Sequence, residues 1–355
     1  MSSDLRPFIS ALVIGLTAAL LCEWLKTPLP WMIGPLFATA AMRMAGMDLH
    51  APVREAGQWA IGTALGLYFT PVVVKVLASY AGLILLGIGF ALVLGVVCAW
   101  LLHKLSGIDR TTAFFAMAVG GASEMATQGE RHGAAVDRVA AAHSLRIMMV
   151  VAIIPFGFEF WGVHGLDPYI PGASDVNYPG LAALIALTSL GALALKYLNL
   201  PNAWVIGPLA VAIGLTATGW NLSALPEWMV HLGQLFIGIS LGTRFTPSFL
   251  HTAPRYLASV ALCTLVALAL AAGFGISLSA IGGMHVATAI LATSPGGIAE
   301  MSLTAKNLEL GVPIVTAFHV MRMAALVLTI GPIFRFARLA KHRRATRRPV
   351  PEKKE

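Results

Sequence analysis

Glu124 and Glu300 each sit in an otherwise apolar run directly after a glycine pair, as Gly120-Gly121-Ala122-Ser123-Glu124-Met125 and Gly296-Gly297-Ile298-Ala299-Glu300-Met301. A carboxylate at membrane depth is expensive, and by default it marks an ion or substrate path with a partner nearby. The alternative is local: each glutamate accepts hydrogen bonds from amides exposed where a helix breaks. The two roles can coexist. His143 with Arg146, and His319 with Arg322, are three residues apart and so share a helix face. Either these arginines pair with the glutamates as structural glue, or they bind an anionic substrate while a glutamate or histidine takes up a coupling proton. The sequence leaves both open. Gln58 and Gln234 are neutral polar groups suited to a substrate or to a neighbouring helix. Ser123 and the glycines Gly120, Gly121, Gly296 and Gly297 complete the candidate substrate and ion site.

Composition says what must position these groups. The chain has 355 residues, of which 57% are hydrophobic and 11% charged, against about 25% charged in soluble chains. Windows such as 81–102 and 257–281 carry no charge and are long enough for a bilayer core of about 30 Å. They are continuous rather than alternating, which implies helices and not a barrel. A glycine pair holds a helix poorly, and a break at that depth is tolerated only where it lines a cavity. Breaks in corresponding halves point to a transporter binding site.

Taken in order, spans are expected at 7–25 and 28–46, a short run at 57–69, a long run at about 72–102, the first broken segment, and a helix at about 139–161. The second half repeats the first. Pro28, Trp31, Gly34 and Pro35 recur 173 positions later at Pro201, Trp204, Gly207 and Pro208. Gly57, Gln58, Gly62, Gly66, His143 and Arg146 recur 176 positions later at Gly233, Gln234, Gly238, Gly242, His319 and Arg322. A register kept over so many separated positions indicates internal duplication. Gly62 with Gly66 and Gly238 with Gly242 form Gly-x-x-x-Gly pairs suited to close helix packing.

The expected architecture is an all-α integral membrane protein of about 10–12 transmembrane helices, arranged as two inverted repeats, each with a broken or re-entrant helix. Its parts are repeat 1 (1–161), an extracytoplasmic linker (162–178), repeat 2 (179–336) and a basic cytoplasmic tail (337–355). Five full spans per half would place Arg43, Arg54, Lys104, Arg131, Arg138, Lys196 and the tail inside, leaving Lys26, Lys75 and Lys306 outside. The C-terminus is therefore expected in the cytoplasm, with the chain in a bacterial inner membrane.

The net charge of +8 comes mostly from the tail, where nine Lys and Arg stand in the last 21 positions. That pattern suits anionic lipid better than nucleic acid, so no direct nucleic-acid contact is expected. Cys22, Cys98 and Cys263 stand singly in apolar runs and read as packed. No metal-ligand spacing, hydrolase elbow or nucleotide-binding loop is evident. No enzyme activity, cofactor or metal is therefore expected.

The duplicated Pro-x-x-Trp-x-Ile-Gly-Pro, Gly-Gly-x-x-Glu-Met and His-x-x-Arg motifs resemble the bacterial membrane AbrB family, over roughly residues 8–336. Members are labelled inconsistently, as regulators of gene expression and as ammonia monooxygenases. More distantly, the Pro-rich second span, Gly-rich third and broken fifth resemble half of a cation/proton antiporter or bile-acid-symporter-like fold. An aspartate pair in the broken helices is missing, which puts sodium/proton exchange in doubt.

These readings converge on a secondary transporter of a small polar or anionic solute, with the site where two broken helices cross and a proton as candidate coupling ion. The alternative is a membrane-embedded regulator of gene expression acting through a partner; a membrane monooxygenase ranks below both. Small-molecule or ion substrate and lipid bilayer are the expected partners, and a homodimer is compatible with them.

Overall fold

The computed structural model describes residues 2–165, 169–247 and 254–346. The side chain of Ser123 and the tail beyond residue 346, both singled out above, lie outside the described residues. Among the described residues there are fifteen helices and no strand. The first half contributes α1 (Ser2–Trp24), α2 (Pro30–Met44), α3 (Arg54–Gly66), α4 (Pro71–Ser79), α5 (Ala81–Ser106), α6 (Arg110–Met117), α7 (Ala122–Arg131) and α8 (Val136–Phe160). The second contributes α9 (Tyr178–Tyr197), α10 (Ala203–Ala217), α11 (Glu227–Gly242), α12 (Pro254–Gly282), α13 (Val286–Thr293), α14 (Ile298–Asn307) and α15 (Val312–Thr346).

The expected long run at 72–102 is two helices. α4 leaves α3 at 87°, and α5 starts afresh after Tyr80, whose backbone leaves the helical region at ψ 2. α4 begins with Thr70, whose hydroxyl accepts from Val73 N, and with Pro71 in the first turn, where a missing N–H costs nothing. Six described helices are individually long and apolar enough to cross a membrane, or seven spans if the bent α3–α4 pair counts as one. This is a multi-pass, all-α membrane protein. The 15-residue α2 and α10 are each only about 22 Å long, and α2, α10 and α11 bury apolar and glycine faces inside the bundle.

Duplication in the sequence is duplication in the backbone. Left-handed residues recur at the repeat shift: Lys26 (φ 52) with Asn199 (φ 53), Leu29 (φ 47) with Asn202 (φ 50), and Gly107 (φ 72) with Gly283 (φ 64), while Gly162 (φ 62) has no counterpart. Packing follows the same rule, since α1 with α2 and α11 in one half corresponds to α9 with α10 and α3 in the other. Close glycine contacts set the distances. A Cβ on Gly34 would lie 2.6 Å from Ala18 O, and one on Gly207 would lie 2.5 Å from Gly191 O. Gly62 abuts Val205 O on α10, and Gly238 sits so that a Cβ would come 2.5 Å from Met32 O on α2. Where α3 and α11 cross, Gly57 and Gly233, equivalent residues, face each other.

Candidate functional site

Both broken segments are hairpins. α6 opens on Asp109, whose carboxylate accepts from Thr112 N at 2.8 Å, and stops at Ala118, where the chain turns extended (φ −54, ψ 132). It bends at Val119 and Gly120 and is extended again at Gly121 (φ −65, ψ 138) before α7 begins. Rather than continuing across the bilayer, α7 returns beside α6. Ala135 N donates to Thr112 Oγ1 at 2.9 Å, and the His132 ring lies 5.5 Å from that of Phe115. The second half repeats the closure, with Gly311 N donating to Thr288 Oγ1 at 3.2 Å. Of the two readings left open, a broken helix or a re-entrant one, these contacts fit the re-entrant one: the ends of each segment lie together, and the tips carry the glycine pairs. Periodicity and composition say where a helix breaks but not which way the chain then runs.

The tips explain their own sequence. None of Gly120, Gly121, Gly296 and Gly297 has a positive φ, so left-handed backbone is not the reason for glycine there; space is. A Cβ on Gly120 would lie 3.0 Å from the Met125 methyl, and one on Gly296 would lie 2.6 Å from Met301 Cγ. A Cβ on Gly121 or Gly297 would collide with the carboxylate of Glu124 or Glu300. In Gly-Gly-x-x-Glu-Met the first glycine thus makes room for the methionine and the second for the glutamate. Each glutamate folds back over the first turn of its helix, where exposed amides and the helix dipole favour a negative group.

The arginines do not pair with these glutamates. Among the described residues the ion pairs are Arg43–Asp48 and Lys196–Glu55, both at partly exposed sites. Arg146, 4% exposed, donates from Nη1 to Ala118 O at 3.0 Å and, weakly, to Met117 O at 3.5 Å. Arg322, 6% exposed, donates to Ser294 O and to Gly296 O, both at 2.7 Å. Each guanidinium thus neutralises the carbonyl end of the incoming helix, which a break leaves without amide partners. Each also lies 2.9 Å from the Nδ1 of its histidine. Arginine can only donate, so Nδ1 accepts, and the proton of the neutral ring sits on Nε2. From there it is donated to Phe115 O or Leu291 O, at 2.9 Å in both halves. With both ring nitrogens engaged, adding a proton to Nδ1 would set an N–H against the guanidinium.

Both tips line one cavity of about 90 Å³ that opens to solvent. It gathers Gly120, Gly121, Arg146, Gly296, Gly297, Glu300, His319, Arg322 and Gln58 from the sequence-derived candidates. Glu124, His143 and Gln234 do not line it. Here the two halves diverge, because Glu300 is 8% exposed in the cavity wall while Glu124 is half-buried outside it. Glu300 interacts electrostatically with Arg54 and Arg244, and Arg322 with Arg146. Among the described residues no three His, Cys, Asp or Glu side chains converge on a possible metal ion.

Two lining residues were not among the candidates. Arg54 comes from the first turn of α3, and Asn202 is the left-handed cap of α10, its amide 3.0 Å from Met323 Sδ. Both break the repeat: Arg54 corresponds to Val230, and Asn202 to the buried Leu29. A polar residue that stands where the other copy keeps an apolar one is the signal that could have found them.

A family model described as "Transition state regulatory protein AbrB" matches residues 31–338. An Escherichia coli (strain K12) protein named "Putative regulator AbrB" is 26% identical over 318 residues, covering 87% of this chain and 90% of that one. A Bacillus subtilis (strain 168) protein named "Uncharacterized protein YhjN" is 26% identical over 341 residues, covering 86% of each.

Proposed function

We propose, given that this chain belongs to the AbrB family, that it is a secondary transporter of a small anionic solute bound between two re-entrant hairpin tips. The observation that carries this reading is the single cavity shared by the Gly120-Gly121 and Gly296-Gly297 tips, with Arg146, Arg322 and Glu300 in its wall. Irregular backbone at membrane depth, converging from two halves on one polar cavity, is the arrangement in which transporters hold a solute near the midplane. Counting the short α2 and the bent α3–α4 pair as passes beside α1, α5 and α8, and the hairpins as none, this reading has five per half. An odd number supports an inverted second half, as does the distribution of Lys and Arg, which favours a cytoplasmic tail, and it suits rocking of one bundle against the other.

Glu300 is the coupling group in this reading, because both histidines already have their ring nitrogens engaged. The charged groups around it are Arg54 on α3, Arg146 on α8, Arg322 with His319 on α15, and Arg244 after α11. A protonated Glu300 offers an anion a more positive cavity, so uptake should rise as pH falls. Uptake of radiolabelled organic acids into proteoliposomes tests this, with Glu300→Gln expected to flatten the pH profile. Unchanged pH dependence in both Glu300→Gln and Glu124→Gln would remove the coupling role. No saturable uptake of any anion would remove the transporter reading.

The name of the E. coli relative favours a second reading, a membrane-embedded regulator of gene expression working through a partner. Deleting residues 338–355 separates the two, since a transporter that still inserts keeps its flux and a regulator that signals through this tail loses its output.

A further inference from the structure

The charge in the cavity wall does not balance. Arg54, Arg146 and Arg322 line it against the single carboxylate of Glu300, an excess of two positive charges. Guanidinium groups stay charged in proteins, and buried charge without a counter-charge is costly. The tip arginines also keep donors in reserve. Each has five N–H groups; three described hydrogen bonds from its terminal nitrogens leave one terminal N–H for a solute, besides an unpartnered Nε that is sealed from solvent. Arg54 has no described ion pair, and the adjacent Glu55 is taken by Lys196. Because Arg54 corresponds to Val230, it is no part of the duplicated scaffold that closes the hairpins. The wall also carries the apolar side chains Val119, Ile147, Val205, Ile237, Leu241 and Met323, beside the neutral polar Gln58 and Asn202.

We infer that the solute is an organic dianion of the dicarboxylate class. One carboxylate is held by the free donors of Arg146 and Arg322 at the tips, the other by Arg54, and the carbon chain lies along the apolar wall. With Glu300 ionised, two charges on the solute offset the two in excess; with Glu300 protonated, as in the coupling step proposed above, the cavity keeps one positive charge over the bound dianion. The apolar lining, which cannot hydrogen-bond, favours a carbon skeleton over a compact inorganic anion. Asn202, whose amide sits beside the first tip at Gly121, supplies a neutral donor on that side. This inference rests on the transporter reading and deepens it.

Matched acids test it on the purified full-length protein, by ligand-induced thermal shift. Succinate is compared with butyrate, glutarate with valerate, and both sets with sulfate and inorganic phosphate, in wild type, Arg54→Gln and Arg54→Lys. In wild type each dicarboxylate should bind at least about ten-fold more tightly than its monocarboxylate, as one charge-assisted contact warrants, and more tightly than either inorganic anion. Arg54→Gln should abolish that preference by weakening succinate and glutarate far more than butyrate and valerate, and Arg54→Lys should keep it in part. Equal binding of mono- and dicarboxylates in wild type, a preference that survives Arg54→Gln, or its complete loss in Arg54→Lys would overturn the inference and leave the anion-transporter reading standing. Sulfate or phosphate binding as tightly as succinate would overturn the organic assignment. No stabilisation of wild type by any of these anions would overturn both.

Discussion

Replacing Arg322 should damage the protein more than replacing Arg146, although the two are equivalent by sequence. Arg322 satisfies two carbonyls at its tip, Ser294 O and Gly296 O, each at 2.7 Å. Arg146 satisfies one at 3.0 Å and touches a second only at 3.5 Å, a length at which little hydrogen-bond energy remains. Removing a donor from a buried acceptor costs about 1–3 kcal/mol. Arg322→Met should therefore cost about 2–6 kcal/mol and Arg146→Met about 1–3 kcal/mol. The bonds to His319 and His143, both 2.9 Å, are lost alike. The repulsion between the two guanidiniums is relieved alike, so both terms cancel in the comparison. Total stabilities are about 5–15 kcal/mol, so the larger loss is within reach of unfolding the chain. Lysine keeps the charge but not the planar fork, so Arg322→Lys should recover only part of the loss. Denaturant titration in mixed micelles measures these differences. Equal losses, or a larger loss for Arg146→Met, would refute the assignment of the arginines as caps of the hairpin carbonyls.

Gly207→Ala should cost about 1–3 kcal/mol or prevent accumulation, as overpacking does, because its Cβ would meet backbone on α9 at 2.5–2.6 Å. Gly214→Ala on the same helix meets nothing within 4 Å and should stabilise by about 0.5–1 kcal/mol; thermal denaturation of the pair checks both signs. Thr112→Val keeps shape but strips Ala135 N of its 2.9 Å acceptor, and should cost about 1–3 kcal/mol. Hydrogen exchange should then quicken at the base of the first hairpin. Thr288→Val, acting on a 3.2 Å bond, should do the same more weakly at Gly311.

Much of this was legible in the chain because duplication writes every structural requirement twice. The shifts of 173 and 176 reappear as paired left-handed residues and paired hairpins. The motif Gly-Gly-x-x-Glu-Met marked the tips correctly but for an incomplete reason, since what glycine supplies there is room for Met125, Glu124, Met301 and Glu300. The partner of each arginine was misjudged in one of the two readings. Opposite charges attract in a sequence argument, but in the folded chain the ends of α6 and α13 bring carbonyl oxygens closer than any carboxylate.

The sequence by itself determined the class, the duplication, the positions of the breaks and the small set of ionisable groups that have to be accommodated among apolar spans. These follow from local composition and register. Only the tertiary structure decided that the broken segments fold back, that Glu300 enters the shared cavity while Glu124 stays outside it, and that Arg54 and Asn202 join them. Those outcomes depend on how α3 and α10 of opposite halves pack, through glycine contacts such as Gly62 on Val205. That relation spans more than a hundred residues and leaves no periodic trace in the chain.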